Sequence, residues 1–285
     1  MRLAALVRRW DAAEEVILPA DSACVLRTRE GEAVRLSEDE RGVWIETAGR
    51  REALPGTEAA VRLPRFERHR FPQVLRVLHQ ELLVNVLTNG PVPNLFVYRK
   101  PWYRDGAMMA LAFRETGNLD VIRAWILGLR QPYDRNNAGE TEADNLGQAL
   151  FLVSLVSNTN HPLVASVLAE VPKFERAQDG VKFILGRSDF AEHPVYQTKW
   201  LKFGLRALGL ADACTIPRRR DSYSALFWMA YRDAHVPGDA DDRDNYPYLG
   251  WACDHFHQTK RSPISNRDYP LTWEARASQA DYEAI

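Results

Sequence analysis

The sequence predicts a mainly α-helical protein preceded by a small β-rich region, and three observations carry that prediction. From about residue 72 onward the apolar residues recur at helical spacing. Residues 14–64 break instead into short runs separated by turn formers. Strands do not alternate with helices in the way a parallel α/β sheet requires. The expected division is a β-rich region at 1–65 and a helical domain at 66–285.

In the β-rich region the runs are Val16–Leu18, Cys24–Arg27, Ala33–Leu36 and Val43–Glu46. Their breaks fall at Pro19-Ala20-Asp21, Glu30-Gly31-Glu32 and Asp39–Gly42, which is the pattern of a β-meander. Pro55-Gly56 and Pro64 mark its exit. The first helix opens at Pro72, a natural first-turn residue, and its expected core stripe is Val74, Leu75, Leu78, Leu82 and Val86. Asn89-Gly90-Pro91 ends it. A helix through Met108, Leu111, Ala112 and Glu115 stops at Gly117-Asn118. Others are expected at Leu119–Leu129, Ala143–Ser157, Pro162–Gln178, Val195–Leu208, Asp221–Ala234, Tyr246–Gln258 and from Leu271, about nine in all. Val181–Leu185 reads as a short strand.

A chain of 285 residues is long enough for one large core or a core with an appendage, and 46% hydrophobic with 26% charged residues is ordinary globular composition. The net charge of −1 argues against a general nucleic-acid or anionic-membrane surface. The Arg218-Arg219-Arg220 triplet, between Pro217 and Asp221, reads as a solvated inter-helix loop. Cys24, Cys214 and Cys253 are widely spread with no CxxC pair, which disfavours a disulfide framework and a structural zinc. The apolar patch Leu3–Val7 is too short for a signal-peptide core. No window approaches the roughly 18 apolar residues of a membrane span. The expectation is a cytoplasmic protein with no membrane partner, no nucleic-acid partner and no cofactor.

The densest chemistry lies in Tyr98–Asn118. Tyr98, Arg99, Lys100, Trp102, Tyr103, Arg104 and Asp105 run straight into an apolar helix. Aromatic faces stack on the C–H faces of sugar rings, and Arg/Asp pairs hydrogen-bond their hydroxyls. Asp105 also suits the positive end of the helix dipole, so a capping role competes with the sugar-binding one. Other helix starts are similarly rich: Arg130–Asn145, His193–Gly204, 241–257 and 269–276 each set Trp or Tyr beside charged groups. Loops between rigid helices are where a site would be built.

Trp102-Tyr103-Arg104-Asp105-Gly106-Ala107 resembles the aromatic-x-Arg-Asp-small pattern that grips the non-reducing sugar in the six-hairpin (α/α) toroid glycosidase superfamily, the glucoamylase- and trehalase-like enzymes. Gly139–Gln148, Tyr196-x-Thr198-Lys199-Trp200 and Trp273-Glu274 are similar in kind. Over roughly residues 70–285 the resemblance implies an (α/α)6 toroid-like helical barrel, a complete ring having twelve helices, and a carbohydrate substrate. No unambiguous counterpart of the family's catalytic glutamate pair is found, so acid and base are assigned by chemistry.

Inverting hydrolysis needs a protonated carboxyl at the leaving oxygen and an ionised carboxylate behind a water. Glu140 and Glu142 have like-charged neighbours able to raise one of them, which makes either the candidate acid. Glu274, beside Trp273, is the candidate base. Arg104 and Asp105 would grip hydroxyls, Trp102, Tyr103, Trp200 and Trp273 would stack, and Asp144, Asn145 and Lys199 would complete the substrate contacts. The bland alternative makes Thr141-Glu142-Ala143-Asp144 a helix cap and Glu274 a first-turn partner of a helix dipole.

The expected function is a glycoside hydrolase acting on an oligosaccharide or glycoside. Two alternatives stand beside it. One is a polysaccharide lyase using Tyr196, Arg104 and Asn158–His161, although Asn160-His161-Pro162 reads better as a helix-start turn. The other is a non-catalytic glycan-binding protein. Metal readings are poor: His255 and His257 point to different helix faces, and the acidic run Asp239–Asp244 lacks EF-hand spacing.

Overall fold

The computed structural model describes residues 6, 8–39, 41–54, 61–98, 100–136, 138–189 and 191–217. The helices expected at 221–234, 246–258 and from 271 lie outside those residues. So do 218–220, 239–244, Cys253, His255, His257, Trp273 and Glu274. The chain divides into two compact units, Met1–Leu129 and Arg130–Ile285.

In the first unit, β1 (Ala12–Leu18), β2 (Ala23–Thr28), β3 (Ala33–Asp39), β4 (Gly42–Thr47) and β5 (Arg50–Ala53) form an antiparallel meander in chain order. The four sequence-read runs fall inside β1 to β4. β1 begins before its apolar run because Glu14 and Glu15 pair with Arg27 and Leu26 of β2, so a neighbouring backbone overrides weak local propensity. β5 was not expected, since Arg50–Ala53 has no apolar alternation. It is folded back onto β4 by Ala48-Gly49, both at positive φ (47° and 78°), the geometry of a two-residue hairpin turn. Val34 and Ile45 are buried on one face of the sheet, and Ala23, opposite Ser37, is buried on the other.

Helix α1 (Pro72–Val84) starts at proline as expected, but its inner face differs from the expected stripe. Val74 and Leu78 are each 55% exposed, and the buried residue is His79. Apolar residues occur nearly all round this helix, so their spacing does not single out one face. His79 lies between the rings of Phe66 and Phe113. Its Nε2 is 3.2 Å from the Asn118 amide nitrogen and 3.0 Å from Thr116 Oγ1. Burial lowers its pKa from the ordinary 6.5. The unfolded chain therefore takes up the proton first as pH falls. The stabilisation is complete above about pH 6.5 and is lost as pH falls through the folded-state value. We expect the denaturation midpoint of the protein to drop between pH 7 and pH 5, and His79→Phe to flatten that drop.

Helix α2 (Tyr103–Thr116) ends on Gly117 at φ 71°, with the Asn118 N–H donating to Phe113 O at 2.7 Å. Asn118 then holds the incoming chain: its Oδ1 accepts from Arg62 N at 2.6 Å and its amide donates to Arg62 O at 2.9 Å. A short hairpin, β6 (Val86–Leu87) with β7 (Gly90–Pro91), precedes α2, and α3 (Asp120–Gly128) follows it.

The second unit contains α4 (Asn145–Ser154), α5 (Pro162–Phe174) and α6 (Pro194–Ala207). Between α5 and α6 lie two hairpins, β8 (Glu175–Gln178) with β9 (Val181–Ile184) and β10 (Arg187–Ser188) with β11 (Ala191–Glu192). α5 is four residues shorter than expected because Glu175–Gln178 pairs with β9 across Asp179-Gly180, both at positive φ. The expected strand at Val181–Leu185 is β9. α4 is buried from Asn145 through Val153.

The expectation of a mainly α, (α/α)6 toroid-like barrel is overturned. A five-stranded antiparallel sheet occupies the start of the chain, three two-stranded hairpins follow, and the described residues hold six helices. A ring of helical hairpins needs consecutive helices joined by short loops. Here the chain passes through β-hairpins between α1 and α2 and again between α5 and α6. Among the described residues no helix is long and apolar enough to cross a membrane.

Candidate functional site

In the first unit the Trp102–Asp105 stretch forms the entry to α2. Trp102 is extended (φ −115°, ψ 144°) and is itself the helix N-cap, so the capping role considered for Asp105 is not the one it fills. Asp105 sits in the first turn instead, at the positive end of the helix. The Tyr98 and Trp102 rings meet edge-on at 4.8 Å, and the Arg104 guanidinium lies 6.0 Å from the Trp102 ring. Tyr103 is turned inward, buried with its ring 6.4 Å from that of Trp125. Gly106 has a packing reason: a Cβ there would run into the Trp125 ring.

Asp105 lines a cavity of about 240 Å³ with Leu82, Asn85, Val92, Pro93, Met108 and Met109. Asn85 is engaged in holding the fold, its amide donating to Glu81 O at 2.9 Å and its Oδ1 accepting from Leu95 N at 2.8 Å. The lining is therefore an apolar wall carrying one carboxylate. The indole N–H of Trp102 has no acceptor among the described residues.

In the second unit Glu142, Asp144, Asn145, Lys199 and Trp200 are all buried. Asp144 accepts from Ser188 Oγ at 2.5 Å and from Gln148 Nε2 at 2.7 Å, one donor on each oxygen. Gln197 donates to Ser188 Oγ at 3.0 Å and to Gly186 O at 2.8 Å, and Gln148 also reaches Tyr196 OH at 3.3 Å. Asn145 donates to Gln148 Oε1 at 3.1 Å and accepts from Asp134 N at 3.2 Å. Glu142 accepts the backbone N–H of Asp189, which sits at φ 53° in the β10–β11 turn, at 2.7 Å. Trp200 packs among Phe151, Tyr196 and Phe203. These side chains tie α4, the β10–β11 hairpin and α6 together.

Glu140 is different. It is exposed, on a turn fixed by Asn136, whose Oδ1 accepts from both Ala138 N and Glu140 N at 3.0 Å. His161 accepts from Leu163 N through its ring at 3.3 Å and so caps α5, the turn reading given to Asn160-His161-Pro162. The ten sequence-named residues that are described thus divide by unit: Trp102, Tyr103, Arg104 and Asp105 in the first, Glu140, Glu142, Asp144, Asn145, Lys199 and Trp200 in the second.

One feature escaped the sequence. A cavity of about 750 Å³ opens on the β-sheet unit, lined by Arg35, Arg41, Arg51, Arg65 and Arg76 together with Asp21, Glu38, Asp39 and Glu46. The alternation Arg35-Leu36-Ser37-Glu38-Asp39 carried the signal, because every second residue of a strand shares a face.

No known family model, curated protein or solved structure matches the chain.

Proposed function

We propose that the protein is a cytoplasmic carbohydrate-binding protein, with a sugar ring received at the entry to α2. The observation that carries this reading is the cavity at Asp105: Met108, Met109 and Val92 offer an apolar wall and Asp105 a hydroxyl acceptor. Trp102 and Arg104, adjoining in sequence, add an aromatic face and a guanidinium. Cys24 and Cys214 are free thiols, in keeping with a reducing compartment.

Glycoside hydrolysis is the second reading, favoured by one observation: Glu140 is an exposed carboxylate on a turn held by its own hydrogen bonds. Glu142 and Asp144 are less suited to acid–base work, since Glu142 Oε1 accepts from Asp189 N and the Asn136 amide and both oxygens of Asp144 accept from donors within the fold. Both readings are tested by mixing the protein with neutral oligosaccharides and recording thermal stabilisation and released reducing sugar together. Binding is expected to weaken by about tenfold in Arg104→Ala, the loss of one charge-assisted hydrogen-bonding group. Sugar release that disappears in Glu140→Gln would establish the hydrolase. Neither stabilisation nor release with any glycan would sink the carbohydrate reading.

A further inference from the structure

We propose that the arginine-lined face of the β-sheet is a binding site for an acidic oligosaccharide, one bearing carboxylate or sulfate groups on its sugar rings. The face is built by register. Arg35 of β3 lies opposite Glu46 of β4, and Glu46 lies opposite Arg51 of β5, so the three form one row across adjacent strands. Ion pairs at 3.2 Å hold two of the arginines in place: Arg35 to Asp21, and Arg51 to both Asp39 and Glu46. Arg51 is further seated on the Trp44 ring, 4.2 Å from its centroid.

The remaining arginines are engaged more lightly. Arg65 reaches Glu67 only at 3.9 Å. Arg76 donates to the Ser22 hydroxyl, a neutral partner. The Arg41 guanidinium has no carboxylate partner among the described residues, although its backbone N–H donates to Asp39 at 2.8 Å. Preorganised guanidiniums beside uncompensated ones match a ligand carrying spaced negative charges, and the guanidinium fork suits planar carboxylates and sulfates.

The length of the face points to an oligomer. The 750 Å³ cavity and a neighbouring one of about 530 Å³ both draw on Arg35, Glu46 and Arg51. Together they follow β3 from Ala33 to Asp39, a run of about 20 Å. Its composition argues against nucleic acid. Asp21, Glu38, Asp39 and Glu46 would repel a continuous phosphate backbone, and among the described residues no aromatic ring lines the cavity, the Trp44 ring of the same face carrying Arg51 over it. The same carboxylates accept hydroxyl groups, of which a sugar has several per ring. The choice of a glycan over other oligoanions rests on the carbohydrate reading, whereas the charge match does not.

The test measures binding of the full chain to polygalacturonate oligomers, dextran sulfate, neutral dextran and a single-stranded DNA oligomer. At least one of the acidic glycans is expected to bind, with affinity falling as salt rises. Which of the two binds separates carboxylate from sulfate recognition. Arg41→Ala with Arg76→Ala should weaken that binding by about tenfold or more, while Arg104→Ala leaves it unchanged. Arg41→Glu alone, at an exposed position, should weaken it in a protein whose thermal unfolding matches the parent. Acidic-glycan binding without any neutral-glycan binding would keep this inference and remove the reading of the Asp105 cavity. Absence of acidic-glycan binding, equal binding of DNA or of neutral dextran, or full binding by the folded Arg41→Glu protein would overturn it.

Discussion

Gly147→Ala is expected to unfold the second unit. Gly147 lies in α4 against the backbone of α6, and an added Cβ would overlap the carbonyl carbon and oxygen of Trp200 and the nitrogen of Leu201. Backbone cannot rotate aside as a side-chain tip can. The two helices would have to separate along a crossing where Leu146, Leu150, Trp200 and Leu201 are all buried. The reciprocal position behaves alike, since a Cβ on Gly204 meets Gly147 O and Leu150 Cβ. The cost should reach about 3 kcal/mol or more for either substitution, the upper range of overpacking effects. Gly180→Ala is the comparison, because its Cβ would meet open space and only its φ of 76° is strained. That should cost about 1 kcal/mol. Urea denaturation followed by circular dichroism separates the cases. A Gly147→Ala protein no less stable than Gly180→Ala would mean that α4 and α6 do not approach so closely.

Much of the secondary structure was legible because local chemistry dictated it. Pro72, Pro162 and Pro194 open helices, Gly117 closes one, and Asp179-Gly180 turns a hairpin, each through backbone preferences that need no tertiary partner. What was not legible depended on partners distant in sequence. β5 exists because β4 offers it a hydrogen-bonding edge, and the inner face of α1 is decided by Thr116 and Asn118 meeting His79. The toroid expectation failed at that same level: helices at α/α spacing are compatible with hairpins of strand inserted between them, and local periodicity does not report what the connections do. For the site, residue types were read correctly as polar and aromatic at helix starts. Whether each faced a cavity or the interior was invisible. Tyr103 and Asp105 are two residues apart, yet one is buried against Trp125 and the other lines a cavity.

Asp144→Ala separates the two meanings a buried carboxylate can have. If Asp144 served a ligand, its loss would lower binding and leave the fold intact. Its surroundings argue for the opposite. The side chain is completely buried, and its oxygens hold the Ser188 hydroxyl and the Gln148 amide, so removing it strands the hydroxyl away from water and leaves the amide only its longer contact, 3.3 Å, with Tyr196 OH. Ser188 in turn receives Gln197 from α6, so the loss passes from α4 through the β10–β11 hairpin to α6. Stranded buried groups and lost charge-assisted bonds together should cost roughly 3 kcal/mol or more. Asp144→Asn should cost less than half of that. The serine hydroxyl can rotate to accept from the new amide, while the remaining oxygen still receives Gln148. Equilibrium denaturation of the two variants, with glycan binding measured on whatever stays folded, decides the matter. A stable Asp144→Ala protein that has lost only its ligand would make Asp144 a binding residue. A destabilised one beside a near-normal Asp144→Asn makes it the pin that joins α4 to the hairpin, and moves the search for the functional carboxylate to the exposed Glu140 and to Asp105 in its cavity.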